Sequence, residues 1–124
     1  MNYLLMCCID EASWTGLPES ERDQVMKEYG ELQRKLVDTG CYRGGGRLES
    51  VSTATTVRKR NGRTIITDGP FAETKEQLGG YHVVDCKDLD EAIAIALSIP
   101  TLRVGGAVEV RPLASTLRAE RSAA

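Results

Sequence analysis

Two side chains of the sequence, Asp68 and His82, could exchange a proton with a substrate. Asp68 precedes Gly69-Pro70, and a carboxyl group held in a semi-apolar pocket has its pKa raised toward neutrality by desolvation. Such a carboxyl group suits a general acid or base. Imidazole titrates near physiological pH, so His82 could pair with Asp68 and shuttle the proton. We therefore interpret Asp68 and His82 as candidate catalytic residues.

Both residues also have a purely structural interpretation. An Asp before Gly-Pro commonly accepts hydrogen bonds from the backbone of its own turn, which would make Asp68 a turn-stabilising residue. A lone histidine in a strand, such as His82, is often a partly buried residue with one hydrogen bond. The sequence leaves both alternatives open.

Four further side chains are candidates for ligand binding, namely Lys75, Tyr81, Glu109 and Arg111. Alternation in the last predicted strand places Glu109 and Arg111 on the face opposite its two valines, where they could line a cleft or form an ion pair. Lys75 lies in a charged connection that could close over a ligand or simply face solvent. Tyr81 could contact a ligand or pack in the core.

Arginines cluster near the Asn61-Gly62 dipeptide, where Arg58, Arg60 and Arg63 could hold a phosphate or an acidic partner surface. The alternative is a solvated hairpin edge. The net charge is -2, and the chain has one Phe and one Trp, so we expect no direct nucleic-acid binding.

The four cysteines show no Cys-x-x-Cys spacing, and buried thiols in a reduced, cytoplasmic protein are the simplest interpretation. Three cysteines and His82 could in principle meet around zinc, but no local pair of ligands is present. Gly44-Gly45-Gly46 lacks the spacing of a phosphate-binding loop, and we interpret it as a flexible turn. We expect neither a metal nor a cofactor.

Length and composition favour one domain without a membrane segment. A chain of 124 residues can bury a core without disulfides. Its 16 Lys+Arg and 18 Asp+Glu nearly balance, so no net positive charge attracts the protein to an anionic membrane. No apolar run approaches the roughly 20 residues that a membrane-spanning helix needs. We expect residues 1–113 to form the domain and residues 114–124 a frayed tail.

Hydrophobic periodicity predicts the elements that position these residues. An apolar run predicts a first strand over residues 2–9, and helical spacing predicts a first helix between Pro18 and Gly40. Asn61-Gly62 predicts a two-residue hairpin turn that pairs Arg60 with Arg63 and places Asp68 on the more apolar face. Further strands are predicted at residues 47–51, 81–86 and 106–113, and a second helix at residues 88–100.

The resulting order, β-α-β-(β-hairpin)-β-α-β, predicts a ferredoxin-like α+β fold with both helices on one face of the sheet. The first and fourth segments, however, are apolar on both sides. A second copy stacked on the free face would bury this surface, so we predict a homodimer. A small ligand could lie between the two sheets.

Residues 68–81, DGPFAETKEQLGGY, resemble the signature of the YCII-related proteins of the DGPF type. Residues 108–112, VEVRP, the opening YLLM at residues 3–6 and ATTV at residues 54–57 fit the same family. The resemblance implies a dimeric α+β barrel of ferredoxin-like protomers. It also implies a histidine–aspartate pair, of which Asp68 resembles the aspartate. His82, the only histidine, stands where relatives usually carry Tyr.

For function, the resemblance implies either a lyase- or isomerase-type enzyme or an association with sigma-type transcription factors. Our leading hypothesis is a homodimer that binds a small polar molecule between its sheets and catalyses a cofactor-free proton transfer. The alternative is a regulatory module that contacts a sigma-type factor through the arginine hairpin.

Overall fold

The apolar first strand lies inside a four-stranded antiparallel sheet. The computed structural model describes residues 1–114. Its strands are Asn2–Ile9 (β1), Tyr42–Arg47 (β2), Thr55–Arg60 (β3), Arg63–Asp68 (β4), Gln77–Asp85 (β5) and Ala107–Pro112 (β6). The order of strands in the four-stranded sheet is β2-β5-β1-β6. Its helices are Glu11–Thr15 (α1), Glu19–Asp38 (α2) and Leu89–Leu97 (α3), with 3₁₀ turns at Val51–Thr53 and Pro100–Val104.

This arrangement confirms the predicted ferredoxin-like α+β fold. The hairpin β3–β4 is inserted between β2 and β5 and forms a two-stranded sheet of its own. None of the helices within residues 1–114 is long and apolar enough to span a membrane.

The core lies between the main sheet and the helices, and β1 shows how the sheet divides its side chains. Tyr3, Leu5 and Cys7 are buried, whereas the intervening Leu4 and Met6 are only half-buried. We call the first side the covered face and the second side the open face. Packed against the covered face are the buried helix residues Leu32, Leu36, Ala92 and Ala96.

The hairpin has the predicted register. Asn61 and Gly62 have φ angles of 51° and 76°, the left-handed values that a two-residue turn of this kind requires, and Arg60 pairs with Arg63. Val57 and Ile66 pair across the two strands, yet 65% and 66% of their surfaces are exposed. The apolar side of the hairpin is therefore uncovered in the protomer.

The interpretation of Gly44-Gly45-Gly46 as a turn is wrong, because these residues form part of β2. A Cβ atom at Gly45 would lie 2.6 Å from the carbonyl oxygen of Tyr81, and one at Gly80 would lie 3.1 Å from the carbonyl oxygen of Gly46. Glycines here let β2 and β5 approach closely, as glycine in a strand often does. The strand predicted at residues 47–51 is correspondingly displaced.

Two other boundaries and one helix differ from the prediction. β5 begins at Gln77, ahead of its glycine pair, and α3 ends at Leu97, before Pro100. The short helix α1 was not predicted, although Asp10 caps it by accepting hydrogen bonds from Ala12 N and Ser13 Oγ. The predicted tail lies almost wholly outside the described residues.

Candidate functional site

A cavity of about 650 Å³ lies between α2 and the covered face of the sheet. We call it the helix–sheet cavity. Its floor includes Cys7 of β1 and His82 of β5, and Tyr29 of α2 lies over them. The chain between β2 and the first 3₁₀ turn, residues 47–50, contributes one side of the cavity. Its volume suits a small organic molecule.

His82 lies in this cavity because the alternation of β5 turns it to the covered face, opposite Leu5. Its ring stacks on Tyr29 with 5.9 Å between the centroids and 20° between the planes. Nδ1 of His82 is buried and has no hydrogen-bond partner among the described residues. Burial lowers the pKa of His82 below its usual 6.5, so the imidazole is neutral at pH 7.

The two ring nitrogens of His82 therefore have different environments. A Cβ atom at Gly45 would lie 3.3 Å from Nδ1, which places this nitrogen against the backbone of β2. Since His82 lines the cavity and Nδ1 is enclosed, Nε2 is the nitrogen that a ligand can reach. A neutral imidazole can accept or donate a proton at that atom.

The groups beside His82 are uncharged as well. The hydroxyl of Tyr29 forms a hydrogen bond of 3.0 Å with Oγ1 of Thr101, and burial raises the pKa of Tyr29 well above its usual value. Burial also raises the pKa of the Cys7 thiol, which makes it a poor nucleophile at neutral pH. The floor of the helix–sheet cavity is thus polar but carries no charge.

Glu11, the first residue of α1, fixes the opposite wall of the cavity. Its Oε1 accepts a hydrogen bond of 2.8 Å from Val51 N, and its Oε2 accepts one of 2.8 Å from Ser50 Oγ. The backbone N–H of Glu11 donates to Oε1 of Gln77 at 3.0 Å. Sequence reasoning missed Glu11, because the residues it contacts are 39 or more positions away along the chain. The one local signal was the spacing of Asp10 and Ser13, which is typical of a cap at the start of a helix such as α1.

Among the described residues, the charged ones that line the cavity are Glu11, Arg47 and Glu49. The side chains of Arg47 and Glu49 form no ion pair or hydrogen bond within residues 1–114. No group of three or more His, Cys, Asp or Glu residues in the described part of the chain could hold a metal ion.

The structure separates the predicted site residues into two groups. His82 and Tyr81 line the helix–sheet cavity, although the ring of Tyr81 follows the open face. The other four do not line it: Asp68, Lys75, Glu109 and Arg111. The site predicted between two sheets involves a second protomer and stays a prediction.

Asp68 lies at the end of β4, paired with Thr55, and is exposed in the protomer. Its carboxylate accepts no hydrogen bond from the described residues, so the turn-stabilising alternative receives no support from side-chain contacts. Instead, Thr56 Oγ1 donates to the carbonyl oxygen of Gly69 at 2.8 Å and closes the turn. Lys75 is also exposed, in the connection that precedes β5.

Glu109 and Arg111 occupy the predicted face of β6, which is the open face of the sheet. They form an ion pair of 2.6 Å along the strand. Both side chains are largely exposed, so the pair contributes little to stability in the protomer.

Comparison with known proteins gives a consistent result. The family model of the YCII-related domain matches residues 1–115. An uncharacterized protein of Rhizobium meliloti (strain 1021) is 41% identical to this chain over 115 residues. The match covers 92% of this chain and 93% of that protein.

Proposed function

This chain belongs to the YCII-related domain family, and we propose that it binds a small polar organic molecule in the helix–sheet cavity. There it catalyses a cofactor-free proton transfer, of the isomerase or lyase type, with His82 as the acid/base. The observation that carries the proposal is that His82 lines a cavity of about 650 Å³ with its Nδ1 buried and without a partner among the described residues, while burial lowers its pKa.

The neutral state of His82 lets its imidazole act first as a base toward the substrate and then as an acid. Nε2 of neutral His82 takes a proton from a carbon next to an electron-withdrawing group of the substrate. The same proton returns to a neighbouring carbon in an isomerisation, or protonates the leaving group in an elimination. Tyr29 and Thr101, whose hydroxyls form a hydrogen bond with each other, are polar groups near this imidazole.

Asp68 has a secondary place in this proposal, because it does not line the cavity. It would contribute only through a dimer that brings the hairpin of one protomer to the cavity of the other. The same holds for Lys75. Glu109 and Arg111 lie on the open face of the sheet, so stacking of two open faces does not bring them to a helix–sheet cavity. The proposal therefore assigns proton transfer to His82 alone within one protomer.

The homodimer is part of the proposal and is supported by the open face of the sheet. This face carries Leu4, Met6 and Cys8 of β1 beside Val83 of β5, a continuous apolar row that no helix within residues 1–114 covers. A symmetric copy brings the same row, so stacking two open faces buries both. This arrangement leaves the helix–sheet cavity of each protomer on the outer side of its sheet.

A regulatory role is the second candidate, and one observation favours it. Arg58, Arg60 and Arg63 form no ion pair with any carboxylate of residues 1–114, and Arg60 lies directly opposite Arg63. Like charges in such a pair are unfavourable unless an anionic partner neutralises them. The hairpin could therefore contact an acidic surface of a sigma-type transcription factor.

The ligand-binding proposal is tested by thermal unfolding of the purified protein with a library of metabolites. A ligand that binds only the folded protein adds about 2.7 kcal/mol of stability at 100 times its Kd. We expect at least one compound to raise the Tm of the wild type but not that of G30L, a variant that adds a large side chain at a residue lining the cavity. Absence of any stabilising compound, or equal stabilisation of G30L, would contradict the proposal.

The proton transfer needs a second measurement. A stabilising compound is incubated with the protein in D₂O, and NMR follows the replacement of its carbon-bound protons by deuterium. We expect exchange with the wild type and none with H82Q, while H82Q still unfolds cooperatively. Exchange that persists in H82Q would remove His82 from the mechanism.

A further inference from the structure

Aromatic side chains are concentrated around the helix–sheet cavity. The chain has one Trp, one Phe, four Tyr and one His. Trp14, Tyr29, Tyr42 and His82 all line this cavity. Rings stack best on flat, apolar partners at centroid distances of roughly 4.5 to 7 Å. Tyr29 and His82 already adopt such a stack, at 5.9 Å.

Gly30 leaves space at the helical wall of the cavity. It lies in the interior of α2, where glycine is less favourable than alanine by about 1 kcal/mol. Close packing does not explain it, because a Cβ atom at Gly30 would have no other atom within 4 Å. Gly30 lines the cavity at an exposed position of the helix, and its lack of a side chain leaves open space there.

Among residues 1–114, Arg47 is the one cation that lines the cavity. Some exposed arginines have carboxylate partners, as Arg43 has Asp85 and Arg103 has Glu28. Arg47 has none within residues 1–114. A free guanidinium at the edge of an aromatic cavity binds a carboxylate through two parallel hydrogen bonds.

Two carboxylates restrict the charge that such a ligand can carry. Both oxygens of Glu11 are occupied by Ser50 and Val51, and Glu49 lines the same edge of the cavity as Arg47. In a dianion, such as a phosphomonoester or a dicarboxylate, the second negative charge would have no cation of its own among the described residues that line the cavity. A single negative charge on the ligand matches Arg47.

We propose that the helix–sheet cavity selects a flat, aromatic or alicyclic monocarboxylate. Its ring lies among Trp14, Tyr29 and Tyr42, and its carboxylate is bound by Arg47. This inference rests on the proposed ligand-binding function and names the class of ligand that the cavity takes.

The test uses 1-naphthoate and its uncharged analogue 1-naphthalenemethanol. Because Trp14 is the only tryptophan and lines the cavity, its fluorescence reports binding of either compound. We expect 1-naphthoate to bind the wild type about tenfold more tightly, the effect of one charge-assisted hydrogen-bonded pair. R47Q should weaken naphthoate binding about tenfold and leave binding of the alcohol unchanged.

R63Q is the matched control, since it removes an exposed arginine that does not line the cavity. It should leave both affinities unchanged. Equal affinities of acid and alcohol for the wild type would overturn the carboxylate inference and leave the cavity as a ligand site. Lack of binding by both compounds, or binding that is unchanged in G30L, would overturn the proposed binding site as well.

Discussion

At the scale of single residues, His82 combines two properties that its sequence position alone does not reveal. Its place in a strand indicates a partly buried residue, but the stack on Tyr29 and the unpartnered Nδ1 depend on how α2 lies over the sheet. The pKa of His82 is lowered by burial. The residue type alone predicts acid/base chemistry at His82, which stays a prediction, whereas the surroundings of the ring depend on the fold.

The lowered pKa of His82 has a consequence for stability. In the unfolded chain the imidazole takes up a proton below about pH 6.5, whereas in the folded chain it resists protonation. The unfolded state then binds more protons, so the free energy of unfolding falls as the pH drops through 6.5. We expect the urea midpoint of the wild type to decrease more than that of H82Q between pH 7.5 and pH 5.5. Parallel decreases in both proteins would contradict the burial of a neutral His82.

At the scale of elements, the sequence predicted those whose signal is local. β1 and α2 follow from apolar periodicity, and β3–β4 follows from the Asn61-Gly62 turn. β2 was misassigned, because Gly44-Gly45-Gly46 shows no alternation of apolar and polar residues. The contact of Glu11 with Val51 was missed because it joins two distant segments, and one wall of the helix–sheet cavity depends on it.

Because β2 and β5 lie close together, we expect alanine substitutions at the neighbouring residues Gly44 and Gly45 to change stability differently. In G45A the new Cβ atom would lie 2.6 Å from the carbonyl oxygen of Tyr81, so the strands must separate, at a cost of about 1–3 kcal/mol. G44A is the matched control, because its Cβ atom would have no neighbour within 4 Å. Urea unfolding of both variants checks this expectation. A G45A protein as stable as G44A would show that the two strands are not in close contact.

At the scale of the whole molecule, the two faces of the sheet have different roles. The covered face and α2 line the helix–sheet cavity, whereas the open face carries the apolar row on which the proposed second copy would stack. The sequence predicted a two-faced sheet and a ligand site between two sheets. The cavity found in the protomer lies on the other side of the sheet, because helix packing leaves space beside Gly30 and His82.

The proposed dimer is checked by placing a charge on the open face. Met6 lies next to Tyr81 and Glu109 on this face, so M6K would bury an ammonium group in the dimer interface. We expect sedimentation velocity to give twice the chain mass of 13.5 kDa for the wild type and one chain mass for M6K. V37K, at an exposed position of α2, is the control and should stay dimeric. A monomeric wild type would contradict the dimer.

The central claim is that a ligand in the helix–sheet cavity meets Nε2 of His82. Because the sequence contains one histidine, ¹⁵N NMR of its imidazole gives one signal for each ring nitrogen. The protein is titrated at pH 7.5 with the metabolite that most raises its Tm. We expect the Nε2 signal to shift with ligand occupancy and the enclosed Nδ1 signal to shift less. Saturation with the ligand while both imidazole signals stay unchanged would contradict the claim.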